Sequence, residues 1–372
     1  MRMALIHTNL RRCGVFLLGL LLAQSAFSQS AIDQLIEQTG IEPGPVAARD
    51  FPGWREPRKI IVRDFAGLYD EVDGMAPGVN LVRVNSESEA VAHAADADAI
   101  VGFCSPRVLA AASDATWVQV FGAGAERCLA VDRVRGGDVM LTNMQKMSSP
   151  VIGEHVTAMV LSLARGLVPF GKAMASGEWS RRSEVITGMQ SYGGKTVLIV
   201  GLGGIGTEAA RRLAALDMRI IATRRSSREG PEFVDYVGLS YELHELAAQA
   251  DFIVNALPHT AETEGTFDAK FFDVAKRGAY FINVGRGKTV VTADLVAALE
   301  SGHIAGAALD VTDPEPLPSG NPLWRMENVI ITPHVSGRGG NRIRHNILAK
   351  ENLRRFIAGE ALLNVVDPEL GY

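Results

Sequence analysis

Short apolar runs rich in β-branched residues recur along the chain, and stretches with helical spacing of apolar positions separate them. Runs at 59–63 (KIIVR), 81–84, 99–103 and 117–121 read as strands, with helices over 87–95 and 106–112. A second series starts at 196–200 (TVLIV) and continues at 219–223, 252–257, 279–284, 305–310 and 329–331. Helices fit over 205–218, 241–248, 268–275 and 293–301 within it. Uninterrupted apolar strands alternating with helices predict parallel sheets covered on both faces. A long, mostly apolar helix over 150–167 leads into the second series, and a final helix runs over 341–358.

Two such series in 372 residues are more than one core usually serves, so two domains are expected. The first residues follow another pattern. Arg2, Arg11 and Arg12 precede an apolar run over 13–23, too short to span a bilayer comfortably. Small residues at Ala26 and Ser28 precede Gln29, so 1–28 has the layout of a secretory signal peptide. With the leader used, the protein is expected in the periplasm or secreted, with no stable membrane insertion; otherwise it is cytoplasmic. Over 29–58, Ser30 can cap a helix ending at Gly40, and Pro43, Pro45, Pro52 and Pro57 make the remainder extended. This extension reads either as an arm wrapping the body or a partner subunit, or as a tethered tail.

Composition changes this picture little. A net charge of −5 and a pI near 5.9 leave no footprint for nucleic acid. Cys13, Cys104 and Cys128 show no metal-ligand spacing, so no metal is expected. Cys104 and Cys128 lie near the two loops that follow the strands at 99–103 and 117–121, and an oxidising compartment would allow them to pair.

After the strand at 196–200, Gly201, Gly203 and Gly206 stand at G-x-G-x-x-G spacing and open a helix. Gly201 allows a sharp turn, Gly203 leaves no Cβ against a pyrophosphate, and Gly206 lets helix and strand lie close. The unpaired N–H groups of the helix start suit the phosphates. The strand before and the helix after make this a dinucleotide-binding fingerprint. At the end of the next strand the chain reads Thr223-Arg224-Arg225-Ser226, with no acid before Glu229. Two arginines and a hydroxyl suit the 2′-phosphate of NADP, where an acid would suit the ribose of NAD. NADP is therefore expected over NAD.

Three further strand ends carry chemistry: Arg286 in NVGRG, Glu315 in DPEPLP and His334 in TPHVSG. Fingerprint, N-x-x-R-G, E-P-L-P and T-P-H-x-x-G occur in that order. With them, residues 59–365 resemble the D-isomer-specific 2-hydroxyacid dehydrogenases, most closely the glyoxylate/hydroxypyruvate reductase branch. The residue types match the chemistry of reducing a 2-keto acid. Arg286 holds a carboxylate and polarises a carbonyl. His334 donates a proton to the carbonyl oxygen, and Glu315 fixes its ring. The nicotinamide supplies hydride.

The resemblance implies two doubly wound parallel-sheet domains: a Rossmann domain over 152–334 inserted into a flavodoxin-like substrate domain over 59–151 and 335–372. It implies cofactor contacts at Gly204, Ile205, Leu257, Pro258, Thr263, Val284, Gly285, Asp310 and Gly337. It implies substrate contacts at Phe103, Cys104, Ala123 and Gly124, and a homodimer. His155 and His259 read as structural. Two departures stand out: Asp217 replaces a usual glycine before Met218, and Ala125-Glu126-Arg127 replaces the usual residues after the glycine loop. The activity implied is NADPH-dependent reduction of a small 2-keto acid. The alternatives are a related dehydrogenase acting on phosphite, formate or a phosphorylated 2-hydroxy acid, or a non-catalytic dinucleotide-sensing protein.

Overall fold

The computed structural model describes residues 31–179, 181, 186, 188–189, 191–340 and 342–371. The expected leader at 1–28 lies outside the described residues. The chain divides into two compact units, one from the residues up to Met144 together with Arg342–Pro368, the other from Gln145–Asn341 with Glu369–Tyr372. The sequence reading puts these breaks at 151/152 and 334/335. Among the described residues no single helix is long and apolar enough to cross a membrane, and no group of three His, Cys, Asp or Glu side chains is placed to hold a metal ion.

In the first unit, β1 (Pro43–Ala47) precedes a five-stranded parallel sheet of β2 (Lys59–Arg63), β3 (Asn80–Val84), β4 (Ala99–Val101), β5 (Trp117–Gln119) and β6 (Met140–Thr142). Their order is β3-β2-β4-β5-β6. Ile60, Ile61 and Val62 are fully buried, as an apolar run covered on both faces should be. The predicted strand at 99–103 stops at Val101, because Gly102 takes φ +105° and turns the chain out of the sheet. β6 escaped the sequence reading.

The extension is folded onto this unit. A helix over 31–39 buries Ile32 and Leu35, and β1 pairs antiparallel with Ala361–Leu363. Arg49 donates to the carbonyls of Gly359 and Ala358, both at 2.9 Å, and the Trp54 indole donates to that of Phe356. Of the two readings of 29–58, the packing favours an arm on the body over a free tail.

The second unit holds seven parallel strands: β7 (Thr196–Val200), β8 (Arg219–Arg224), β9 (Tyr236–Leu239), β10 (Phe252–Asn255), β11 (Ala279–Asn283), β12 (Ile304–Leu309) and β13 (Val329–Ile331). Their order is β13-β12-β11-β10-β7-β8-β9. Alternate residues feed two cores. Leu198, Val200, Ile253 and Phe281 join one cluster, while Val197, Ile199, Val254 and Ile282 join the other. The order reverses between β7 and β10, and in such sheets the crevice at the carboxyl ends of those strands is where ligands bind. The helix expected over 150–167 ends at Ala164 and bends by 77° into Leu167–Ala175, where Gly166 takes a left-handed conformation. Asp217, the departure from the family pattern, sits at φ +60°. It therefore adopts the left-handed backbone that glycine would take most easily after a helix.

Candidate active site

The glycine loop shows why each glycine is there. A Cβ on Gly206 would collide with the Gly201 carbonyl, and one on Gly201 would press on Leu257 and Ala256 at 3.1–3.2 Å. Both are glycine for close packing. A Cβ on Gly203 would meet nothing within 4 Å, so the protein's own packing does not require glycine there. What a side chain at 203 would occupy is open space in front of the helix Gly204–Ala214, the space a pyrophosphate needs. The loop therefore fits a dinucleotide. Ile205 packs against the core behind it.

At the end of β8, Arg224 donates from Nε to the Leu202 carbonyl at 3.2 Å, and its terminal amino groups carry no partner among the described residues. Arg225 and Ser226 are exposed beside it. Arg228 is turned away: Glu242, Tyr236 and Tyr241 hold its guanidinium at 2.7–3.0 Å. Those contacts, led by the hydrogen bond to Glu242, raise its pKa further above an arginine's usual value. The loop after β10 is tied by Thr263. Its hydroxyl accepts the Thr260 amide at 2.8 Å and donates to the Pro258 carbonyl at 2.7 Å.

After β11, Val284 is buried and Gly285 passes so close to Leu257 that a Cβ would come within 2.6 Å of its carbonyl. The sequence reading missed a buried amide network behind this turn. Asn255 donates from Nδ2 to Asn283 Oδ1 at 2.9 Å and to Thr289 Oγ1 at 2.7 Å. Thr289 donates in turn to the Arg286 carbonyl at 2.7 Å. The backbone of Arg286 is thus held by three buried polar side chains. Its only sequence signal was a pair of polar residues, Asn255 and Asn283, each ending an otherwise apolar strand.

Glu315 follows β12 and His334 follows β13. The Glu315 carboxylate and His334 Nδ1 are 2.7 Å apart, with both side chains about half exposed. The carboxylate can only accept, so Nδ1 carries the hydrogen of that bond and Nε2 is left facing outward chemistry. His334 sits at φ +52°, a conformation that L residues seldom adopt. Asp310 holds it there. The Asp310 carbonyl accepts the His334 amide at 2.8 Å, and its carboxylate accepts the Val335 and Ser336 amides at 2.9 and 3.0 Å and the Thr332 hydroxyl at 2.6 Å. Burial alone would raise the Asp310 carboxyl; the donors from Ser336, Thr332 and Val335 outweigh it and hold the group below the usual carboxylate range. His155 Nε2 lies 3.1 Å from Thr332 Oγ1. Since the Thr332 hydrogen goes to Asp310, His155 is the donor. It has a defined contact with the His334 turn, so its structural reading acquires a specific place. His259, by contrast, pairs with Glu264 at 3.2 Å. Gly337 closes the turn near Ser148, with room for a Cβ.

Phe103, Cys104, Ala123 and Gly124 lie in the first unit, after β4 and β5. Asn143 donates to the Ala123 carbonyl at 2.7 Å and the Met144 amide to that of Gly122 at 2.9 Å, which fixes the glycine loop. The structure bonds the sulfurs of Cys104 and Cys128, with Cα atoms 5.6 Å apart, within the span a disulfide bridges. The loop before Phe103 is also packed against Arg63, which the sequence reading passed over.

Residues 157–336 match the D-isomer specific 2-hydroxyacid dehydrogenase, NAD binding domain. A glyoxylate reductase/hydroxypyruvate reductase from Homo sapiens is 35% identical over 237 residues, which are 63% of this chain and 72% of that protein. The chain belongs to the D-isomer-specific 2-hydroxyacid dehydrogenase family. Members of this family are NAD(P)-dependent oxidoreductases. An uncharacterized protein from Corynebacterium melassecola is 42% identical over 197 residues, 52% of this chain and 64% of its own, so less than two thirds of that relative is spanned. Among solved structures, a family member from Xanthobacter autotrophicus in complex with NADPH and MES is 30% identical with a TM-score of 0.72, covering 86% of this chain and all of that one. An NADPH-dependent glyoxylate/hydroxypyruvate reductase from Sinorhizobium meliloti, in complex with NADP and sulfate, is 29% identical with a TM-score of 0.71, covering 85% of this chain and all of that one.

Proposed function

We propose that this chain reduces a small 2-keto acid to the D-2-hydroxy acid with NADPH. The observation that carries the reading is the 2.7 Å bond between His334 Nδ1 and Glu315, on a turn pinned by Asp310. It leaves Nε2 as the ring nitrogen that gives its proton to the carbonyl oxygen. Arg286 binds the substrate carboxylate and polarises the carbonyl. When bound, the nicotinamide supplies hydride to the carbonyl carbon.

The residues that hold the cofactor are the amides around Gly203–Ile205 for the pyrophosphate and Arg224, Arg225 and Ser226 for the 2′-phosphate. The absence of an acid at the end of β8 supports NADPH over NADH. The likeness to a glyoxylate/hydroxypyruvate reductase at 35% identity supports small 2-keto acids of that type. Residues 1–28 are proposed as an export leader, which N-terminal sequencing of the native protein tests.

The deciding experiment follows NADPH oxidation with glyoxylate, hydroxypyruvate and longer 2-keto acids. Turnover is expected, and His334→Asn should lower kcat by about 10²–10⁴-fold with the unfolding midpoint kept. No oxidation with any 2-keto acid overturns the reading.

A further inference from the structure

Arg63 closes β2, after three fully buried residues, at the carboxyl end of the five-stranded sheet. The order β3-β2-β4 makes the gap between β2 and β4 the point where the winding of this sheet reverses. Ligand crevices open at such points. The Arg63 guanidinium carbon lies 4.9 Å from the Phe103 ring centre and 5.9 Å from that of Phe65. Phe65 in turn stacks on Phe121 at 4.6 Å. Aromatic rings following β2 and β4 thus flank the Arg63 guanidinium, and Phe121 after β5 backs one of them.

Among the described residues no carboxylate pairs with Arg63 and no carbonyl accepts from its guanidinium. The adjacent Asp64 pairs with Arg83 through one oxygen, and its other oxygen, buried, takes no hydrogen bond from Arg63. Ring faces offer a guanidinium no hydrogen-bond acceptor, so its N–H donors remain available to a planar anion. The local sequence makes room for this side chain: a Cβ on Gly102 would run into the Cβ of Arg63. Phe103, whose ring lies against the guanidinium, is a residue that the family resemblance assigns to substrate binding.

We propose that Arg63 binds an anionic group of the substrate other than the 2-keto acid carboxylate. This rests on the reading of the chain as a 2-keto acid reductase and makes the substrate class a dianionic 2-keto acid. The planar fork of the guanidinium suits a carboxylate or a phosphate equally, through two parallel hydrogen bonds.

The test uses matched substrate pairs that differ in the distal charge. 2-Oxoglutarate is set against 2-oxopentanoate for a carboxylate, and phosphohydroxypyruvate against hydroxypyruvate for a phosphate. In the unaltered protein at least one dianion should exceed its partner in kcat/KM by about 10-fold or more, with the difference in KM; which pair shows it names the group. Arg63→Met should reduce that ratio about 10-fold, and Arg63→Lys, which keeps charge but loses the fork, should fall between. Thermal melting of each variant separates a lost contact from a lost fold. Turnover without preference for either dianion, or a preference that survives Arg63→Met, overturns the Arg63 assignment and leaves the reductase reading standing. No turnover with any of the four overturns the Arg63 assignment, and no turnover with glyoxylate besides overturns the reductase reading as well.

Discussion

The backbone of His334 is left-handed because Asp310 grips the turn from both sides of it. The Asp310 carbonyl takes the His334 amide at 2.8 Å, and its carboxylate takes the two amides that follow at 2.9 and 3.0 Å. The pair couples a buried carboxylate at the end of β12 to an exposed imidazole after β13, so the direction of the imidazole is set by a residue that is itself 2% exposed.

Loss of this clamp should show in both folding and turnover. Asp310→Ala leaves the half-buried Val335 amide, the buried Ser336 amide and the Thr332 hydroxyl without an acceptor, at a cost of about 3 kcal/mol. We expect a lower unfolding midpoint and a kcat reduced more than KM is changed, since His334 loses its orientation.

His155 should act through the same turn more weakly. His155→Phe removes the donor to Thr332 and is expected to cost about 1 kcal/mol by denaturant unfolding. Its effect should not add to that of Thr332→Val, because both substitutions break one hydrogen-bond chain. Additive losses would separate His155 from the His334 turn.

Cofactor choice should follow the loop after β8. Arg224→Ala removes a charge-assisted contact to a 2′-phosphate and should raise KM for NADPH by about 10–100-fold with no matching rise for NADH. Equal effects on both cofactors would mean that Arg224 supports the loop rather than reads the phosphate.

Stability should fall on mild acidification for a reason located at His345. Burial lowers its pKa from 6.5 to about 4, and it packs beside the Phe65 ring. The unfolded chain takes up a proton below 6.5, and the folded chain only near 4. The unfolded state therefore binds more protons in that window, and stability present above it is lost as pH drops through it, by at most roughly 3 kcal/mol. Denaturant midpoints between pH 4 and 7 should decline, and His345→Gln should flatten the decline.

The disulfide gives a redox prediction. Cys104 and Cys128 close a loop of 24 residues, for which the chain-entropy account gives about 3 kcal/mol. Cys104→Ser should lower the stability of the oxidised protein by about that amount and leave the reduced protein nearly unchanged. A linked peptide pair in a non-reducing digest checks the bond directly.

Much of the architecture is legible in the residues alone, because its signals are local. A parallel strand buried on both faces must be an apolar run, so TVLIV and KIIVR announce themselves. A dinucleotide loop must place three glycines at fixed spacing between strand and helix, and Arg224, Arg286, Glu315 and His334 stand at strand ends within short motifs. What tertiary structure decided lies between residues far apart in the chain. The pairing of β1 with Ala361–Leu363, more than 300 residues away, turns a proline-rich extension into part of the first unit. The Asp310 clamp on His334, the Asn255–Asn283–Thr289 support of Arg286, and the aromatic walls around Arg63 all join separate strand ends. No period or spacing records such contacts. They exist only once the sheets bring the carboxyl ends of their strands side by side.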